Sequence, residues 1–310
     1  MTASAEAATD DGSVNFLSTS LAVALMIGSN DILRPLTTPV AASANPRARF
    51  VSSKTNMVAT DSDNRLATLL ENVTKDQWSP LGDIEWDQEL ILPKWISPKL
   101  YTAAVSQLYY GEIATIWACQ RLLGELTGSC VRQFLHAQIK DEERHADTYL
   151  MHLRRLGDVA PMNESLATAL EGAVAWPGSY HGLIVAFHIL LEGEALRLQQ
   201  DLIKWFPCQL LAQINRKVSR DEARHVAFEK NLLQNEIMGI DIDERLAIFL
   251  WVKSIWGECS RAALTRFAMP GLAAKTIAYY RLGRRWTRAV RTFEEIGLVT
   301  RQDVWQANRR

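Results

Sequence analysis

The strongest constraint on the fold of this chain is a repetition. The stretch Asp141-Glu142-Glu143-Arg144-His145 returns 80 residues later as Asp221-Glu222-Ala223-Arg224-His225. Residues three apart on a helix project from nearly the same face, so Glu142 and His145 can grip one metal ion together, as can Glu222 and His225. A further carboxylate stands 30 residues before each motif glutamate, Glu112 before Glu142 and Glu192 before Glu222.

The midpoint of the first 30-residue interval falls in Leu126-Thr127-Gly128-Ser129, and that of the second is Pro207. Both are helix breakers. If each is the turn of an antiparallel helical hairpin, the paired glutamates lie level, roughly 22 Å up each arm at 1.5 Å per residue. Two such hairpins bring four glutamates and two histidines into one four-helix bundle, the ligand set of di-iron and di-manganese carboxylate proteins. The expected fold is therefore all-α, a four-helix bundle with additional flanking helices. Its metal ligands are Glu112, Glu142, His145, Glu192, Glu222 and His225. So many buried charges would be strongly unfavourable without cations to neutralise them. Carboxylate-rich, imidazole-poor ligation suits two iron ions, or a mixed manganese–iron pair, better than zinc.

Neighbouring residues extend the pattern. A metal-bound histidine usually donates its second N–H to a carboxylate, so Asp141 and Asp221 are expected to serve the histidine of the opposite motif, with Arg144 and Arg224 balancing charge. Gln138 and His188 stand one turn before Glu142 and Glu192, supporting the ligands from the same face. Glu194 is out of phase with Glu192 and reads as a neighbour. Tyr149, four residues past His145, points toward the first metal as a pocket wall or a redox group. Cys119, seven past Glu112, reads as a buried thiol. Gly111, Ala146, Gly193, Ala195 and Ala223 leave room beside the ligands for dioxygen and a substrate.

The rest of the sequence narrows the setting. The 310 residues carry 34 basic and 35 acidic side chains, so neither a nucleic-acid footprint nor a polybasic membrane face is expected. The four cysteines lack C-x-x-C spacing and read as reduced thiols in a cytoplasmic protein. The longest early apolar run, Leu21 to Ile27, is too short to span a membrane and follows acidic residues. Residues 1–60 read as an irregular arm with one short helix around 15–27, and residues 61–310 as one domain whose core bundle covers about 98–238. Gln77 to Trp86 is a loop that straps across the bundle through its tryptophans. Asp158 to Gly178 is a long crossover with a short helix near 163–171. Helices are expected over 98–126, 129–156, 180–206 and 208–238, then over 241–269. An amphipathic, basic helix over 273–296 reads as a solvated outer element.

Over about residues 78–270 these motifs resemble the oxygen-activating branch of the ferritin-like di-iron carboxylate superfamily: multicomponent monooxygenase hydroxylases, acyl carrier protein desaturases, ribonucleotide reductase small subunits and p-aminobenzoate N-oxygenase-like enzymes. Trp78-Ser79-Pro80 and Ile84-Glu85-Trp86 resemble the approach segment of several members, and Arg288-Ala289-Val290-Arg291 resembles the N-oxygenase tail. The chain departs from each subfamily. Reductase subunits carry an aspartate where Glu112 stands and a tyrosine near the end of the chain, whereas Tyr280 is the last tyrosine here. N-oxygenases carry a histidine where Val218 stands, and the monooxygenase and desaturase threonine is replaced by Ala195 or Leu196. The resemblance implies a di-iron oxygenase that hydroxylates or N-oxygenates a small organic substrate with O2, supplied with electrons by a reductase or ferredoxin and assembled as a homodimer. A carrier-bound acyl desaturase, docked on Arg281, Arg284, Arg285, Arg288 and Arg291, and a radical-generating or metal-storage protein are the alternatives.

Overall fold

The computed structural model describes residues 61–92, 94, 97–266 and 272–307. The irregular arm expected over residues 1–60, and the Pro270 stop of the helix expected over 241–269, lie outside these residues. The described residues form helices and turns with no strand among them: α1 (Asp61–Lys75), α2 (Pro80–Asp83), α3 (Pro98–Glu125), α4 (Ser129–Leu156), α5 (Glu164–Val174), α6 (Tyr180–Ile184), a π-helical segment (Val185–Leu191), α7 (Glu192–Trp205), α8 (Gln209–Glu236), α9 (Ile242–Arg266), α10 (Leu272–Glu295) and α11 (Arg301–Ala307). The architecture is the ferritin-like all-α bundle.

Local chemistry sets the hairpins. α3 starts where Ser97 Oγ accepts from the Leu100 N–H and Pro98 fills the first helical position, and it ends at Leu126 in extended backbone. α4 begins after Gly128 and stops at Gly157, whose φ of 125° suits a residue without Cβ. Phe206 takes extended backbone ahead of Pro207, which ends α7 before α8 begins. Helices α3/α4 and α7/α8 pack as two antiparallel hairpins, joined by the long crossover that carries α5.

Three features differ from the expectation. Asp61–Lys75 is a helix packed on α4 and α8, where no element was assigned. The helix expected over 180–206 contains the π-helical segment, in which a buried apolar run around His188 winds with an extra residue per turn immediately before Glu192. The basic helix α10 is not a wholly solvated element, since among its described side chains Ala289, Val290 and Phe293 lie in the core. Two apolar clusters fill opposite ends of the bundle. One is built around Tyr101, Leu153, Leu210 and Ile214, the other around Leu122, Phe134, Phe187 and Phe228. The polar layer lies between them.

Candidate metal centre

The two hairpins bring the doubled motif together. Glu112 comes from α3, Glu142 and His145 from α4, Glu192 from α7, and Glu222 and His225 from α8; all six are buried. Their ligand atoms form two groups, Glu112/Glu142/His145/Glu222 and Glu142/Glu192/Glu222/His225, each with its atoms within 4.8 Å of one another. Glu142 and Glu222 belong to both groups, so they are placed to bridge two ions.

The histidines show which face is the metal face. His145 Nε2 lies 3.0 Å from Asp221 Oδ2, and His225 Nε2 lies 3.2 Å from Asp141 Oδ2. Each aspartate therefore serves the histidine of the opposite motif, and both Nδ1 atoms turn inward. His145 Nδ1 meets Glu142 Oε2 at 3.1 Å and Glu112 and Glu222 oxygens at 3.7 Å; His225 Nδ1 meets Glu142 Oε1 at 3.0 Å and Glu222 Oε2 at 3.6 Å. A neutral ring has one N–H, so a ring with carboxylate oxygens at both nitrogens is an imidazolium, faces a protonated carboxyl, or binds a cation on one side. Among the buried atoms without a hydrogen-bond partner are Glu192 Oε2 and Glu222 Oε2. The donor set and these atoms fit two hard or borderline divalent ions.

Electrostatics point the same way. Burial, then the neighbouring carboxylates, push Glu112, Glu192 and Glu222 above the usual carboxylate range. Burial also raises Glu142, but the two imidazoles outweigh it and hold that carboxyl well below its ordinary value. Burial lowers His145 and His225, yet their carboxylate partners win and raise both well above the ordinary imidazole range. Without cations the cluster therefore balances its charge with protons, which metal ions would displace.

The supporting residues form a dense shell. Arg144 Nη2 donates to Asp141 Oδ1 at 2.6 Å and to Asp221 Oδ2 at 2.9 Å, and Arg224 pairs with Asp221. Gln138 Nε2 donates to Glu192 Oε1 at 3.0 Å, and His188 Nδ1 lies 2.6 Å from the same oxygen. His188 thus stands behind a glutamate and belongs to neither ligand group. The strap does more than cover the bundle. Trp78 Nε1 donates to Asp221 Oδ2 at 2.7 Å, its ring stacks on His145, and Arg144 lies over its face. Gln77 donates to Asp141 and accepts from Arg144. Sequence reasoning placed the tryptophan across the bundle without assigning it a partner, because the contact joins residues 143 apart.

An apolar cavity of about 220 Å³ reaches the centre from the side of α3 and α7, touching Glu112, Glu192 and Glu222. Gly111 and Ala195 border it as expected, but Ala223 is exposed on the outer face of α8 and contributes no space. Tyr149 does not line it. Its ring is fully buried on the other side, with Oη donating to Asn215 Oδ1 at 2.9 Å, and burial and the charges of Glu112 and Glu222 push the phenol well up. Tyr149 thus stands apart from this cavity, while Glu112 and Glu222 are the charges that act on it most. Thr115, one turn after Glu112, borders the cavity instead. Glu194 borders it too, paired with Arg197 and with Arg285 of α10.

Comparison with known proteins bears on the fold. No family model and no curated protein matches the chain. Among solved structures, it is similar to a protein from Bacillus halodurans, crystallised at 1.90 Å resolution and named as a candidate class I ribonucleotide reductase. The TM-score is 0.53 and the identity 13%, over 75% of this chain and 95% of that one. The likeness places the chain in a ferritin-like fold. No helix among the described residues is long and apolar enough to cross a membrane.

Proposed function

We propose that the protein is an O2-activating di-iron oxygenase that hydroxylates or N-oxygenates a small, largely apolar organic substrate. The observation that carries this reading is the cavity, whose lining includes Leu108, Leu170, Phe187, Leu198 and Trp256 and whose inner end is three ligand glutamates. A metal store gains nothing from such a space, whereas an oxygenase must admit an organic molecule to the oxidant.

Glu112, Glu142, His145 and Glu222 would hold one ion, and Glu142, Glu192, Glu222 and His225 the other. Two ferrous ions, rereduced by an external reductase or ferredoxin, would supply the electrons that dioxygen needs; a manganese–iron pair suits the same donors. The apolar walls exclude water from the reacting end and hold the substrate by burial. The Thr115 hydroxyl, which donates to Gly111 O at 3.2 Å, borders the cavity one turn after Glu112 and would give the substrate a polar contact there. Asp141 and Asp221 fix the imidazoles, and Gln138 and His188 fix Glu192. A homodimer is the expected assembly.

Trapping a substrate tests the reading. With heavy-isotope dioxygen and a panel of small aromatic and aliphatic compounds, the reduced, iron-loaded protein should release a product carrying one labelled oxygen atom. Ala195→Phe, which fills the cavity, should abolish product and leave metal content unchanged. Unlabelled product, or wild-type turnover in Ala195→Phe, would refute the assignment. A second reading rests on the buried phenol of Tyr149 beside Glu112 and Glu222, which suits storage of a radical. A stable tyrosyl signal in the oxidised protein, lost with all activity in Tyr149→Phe, would favour it; the oxygenase reading expects Tyr149→Phe to retain both metals and most oxygen consumption.

A further inference from the structure

The two ends of the cavity differ in character. At the inner end Glu112, Glu192 and Glu222 are no more than 5% exposed, whereas at the outer end Leu198 is 37% exposed and the Arg285 side chain 24%. The helical period sets Glu194, Leu198 and Asp201 on one face of α7. Arg285 of α10 spans that face: Nη1 donates to Glu194 Oε2 at 3.3 Å and Nη2 to Asp201 Oδ2 at 2.5 Å. The guanidinium therefore lies across the outer end, beside Leu198.

Each partner of the Arg285–Glu194 bridge has a second partner outside it. Glu194 Oε1 also accepts from Arg197, and Arg285 keeps Asp201. The bridge is long for a charge-assisted hydrogen bond, which runs about 2.7–2.9 Å. It can open without stranding a charge. Ser260 of α9 adds a second group. A serine within a helix can donate to the carbonyl one turn back, as Thr115 does elsewhere on the lining. Ser260 Oγ does not: it is buried without a hydrogen-bond partner, on a residue that borders the cavity. A buried hydroxyl calls for a partner from a ligand or from water.

These groups decide the sign of the head group that the outer end suits. A cationic head would be a third positive group on Glu194, beside Arg197 and Arg285. An anionic head takes Arg285 Nη1 from Glu194, leaves every charge paired, and finds in Ser260 a further O–H donor. We propose that the cavity takes a small carboxylic acid with an apolar body, its carboxylate replacing Glu194 on Arg285 and accepting from Ser260, its far end against Glu112, Glu192 and Glu222. That this acid is the substrate rests on the oxygenase reading. The volume of about 220 Å³ is below the roughly 300–1,000 Å³ of pockets for drug-sized ligands, so the body is a single ring or a short chain. Arg285 is the specificity-determining residue, and Glu194 is the internal competitor that holds the guanidinium until an acid arrives.

Two sets of probes share a body and differ in the head: phenylbutyrate with its amide and its amine, and octanoate with octanamide and octylamine. Calorimetric titration of the iron-loaded protein, without oxygen and at neutral pH, should show the carboxylate of at least one set binding roughly tenfold or more tighter than its amide, the effect expected of hydrogen bonds to a charged group. The amine should bind no better than the amide. Arg285→Gln should remove the preference with both metals retained, and Arg285→Lys, which keeps the charge without the planar fork, should keep part of it. Glu194→Gln should tighten the carboxylate several-fold, since the competitor loses its charge. Ser260→Ala should weaken the carboxylate by less than Arg285→Gln does.

An amide or amine that binds as tightly as its acid overturns the proposal. So does an acid preference that survives Arg285→Gln, which would put the carboxylate on the metals, or weaker carboxylate binding in Glu194→Gln, or failure of every probe to bind. The titration needs no turnover. A protein that selects the acid through Arg285 yet forms no labelled product removes the oxygenase reading and leaves the acid site standing. Labelled product from neutral compounds, with no dependence on Arg285, removes the acid site alone.

Discussion

The imidazole of His145 is held by three kinds of contact at once: Asp221 on Nε2, carboxylates around Nδ1, and the Trp78 ring stacked on its face. Because Trp78 also donates to Asp221, one side chain outside the helical bundle aligns both the histidine and its orienting carboxylate. Trp78→Phe keeps most of the ring contact and removes the donor. Loss of such an outer partner typically costs about 10- to 100-fold in metal affinity, so a competition titration should show weaker binding at the His145 ion and little change at the other. Equal weakening of both ions would contradict this division. His152 gives a separate prediction. It is buried beside Tyr101, with its pKa lowered to about 4 by burial and by Arg155. Unfolding lets it take up a proton below about pH 6.5, so its contribution to stability is present above that pH and is lost as pH falls toward 4. Denaturation curves should lose up to roughly 3 kcal/mol across that window from this residue, and His152→Phe should lose less over the same range.

Among the elements, the hairpins were legible because ligand spacing, helical period and breakers all agreed. The interval between glutamates depends only on rise per residue and on where Gly128 and Pro207 stop the helices. Elements defined by tertiary contact were hidden. The π-helical segment, Val185 to Leu191, is an apolar run interrupted only by His188, in which a 3.6-residue period and a wider one bury the same side chains. Helix α1 packs on α4 and α8, and its Leu66, Leu69, Leu70 and Val73 recur at i, i+3, i+4 and i+7, a helical period that was legible but went unassigned beside the polar arm before it. The start of the second hairpin is held just as tightly. A Cβ on Gly182 would come within 2.3 Å of the Trp176 indole, whose ring packs at a tilt against Trp251, centroids 4.6 Å apart. Gly182→Ala must therefore displace a buried ring at the helix that leads into the π segment. Overpacking of this kind costs about 1–3 kcal/mol, and chemical denaturation should show a loss of that size with metal stoichiometry unchanged. A neutral or stabilising effect would mean that the indole moves freely.

Across the described bundle as a whole, the arrangement is two apolar ends clamping one charged layer, with the cavity opening to the side between α3, α7 and the outer helices. That layer was readable from the doubled motif, down to the crossed Asp–His pairs. The opening was readable only in part. Small residues at Gly111 and Ala195 marked it, but Thr115, Glu194 and Arg285 reach it through helix rotations and through α10, which no local pattern specifies. A layer of four carboxylates and two imidazoles between apolar clusters is stable only when its charge is balanced, by protons in the metal-free state or by two divalent ions. Metal binding should accordingly release protons and strengthen as pH rises, since the raised pKa values of Glu112, Glu192 and both histidines must be overcome. The most direct measurement is a titration of the metal-free protein with ferrous iron under anaerobic conditions, followed by elemental analysis and proton release. The account predicts about two ions per chain, proton release on binding, and loss of most binding at both positions in Glu142→Ala or Glu222→Ala, because each glutamate is shared by both groups. One tightly bound ion per chain, indifferent to either substitution, would contradict it.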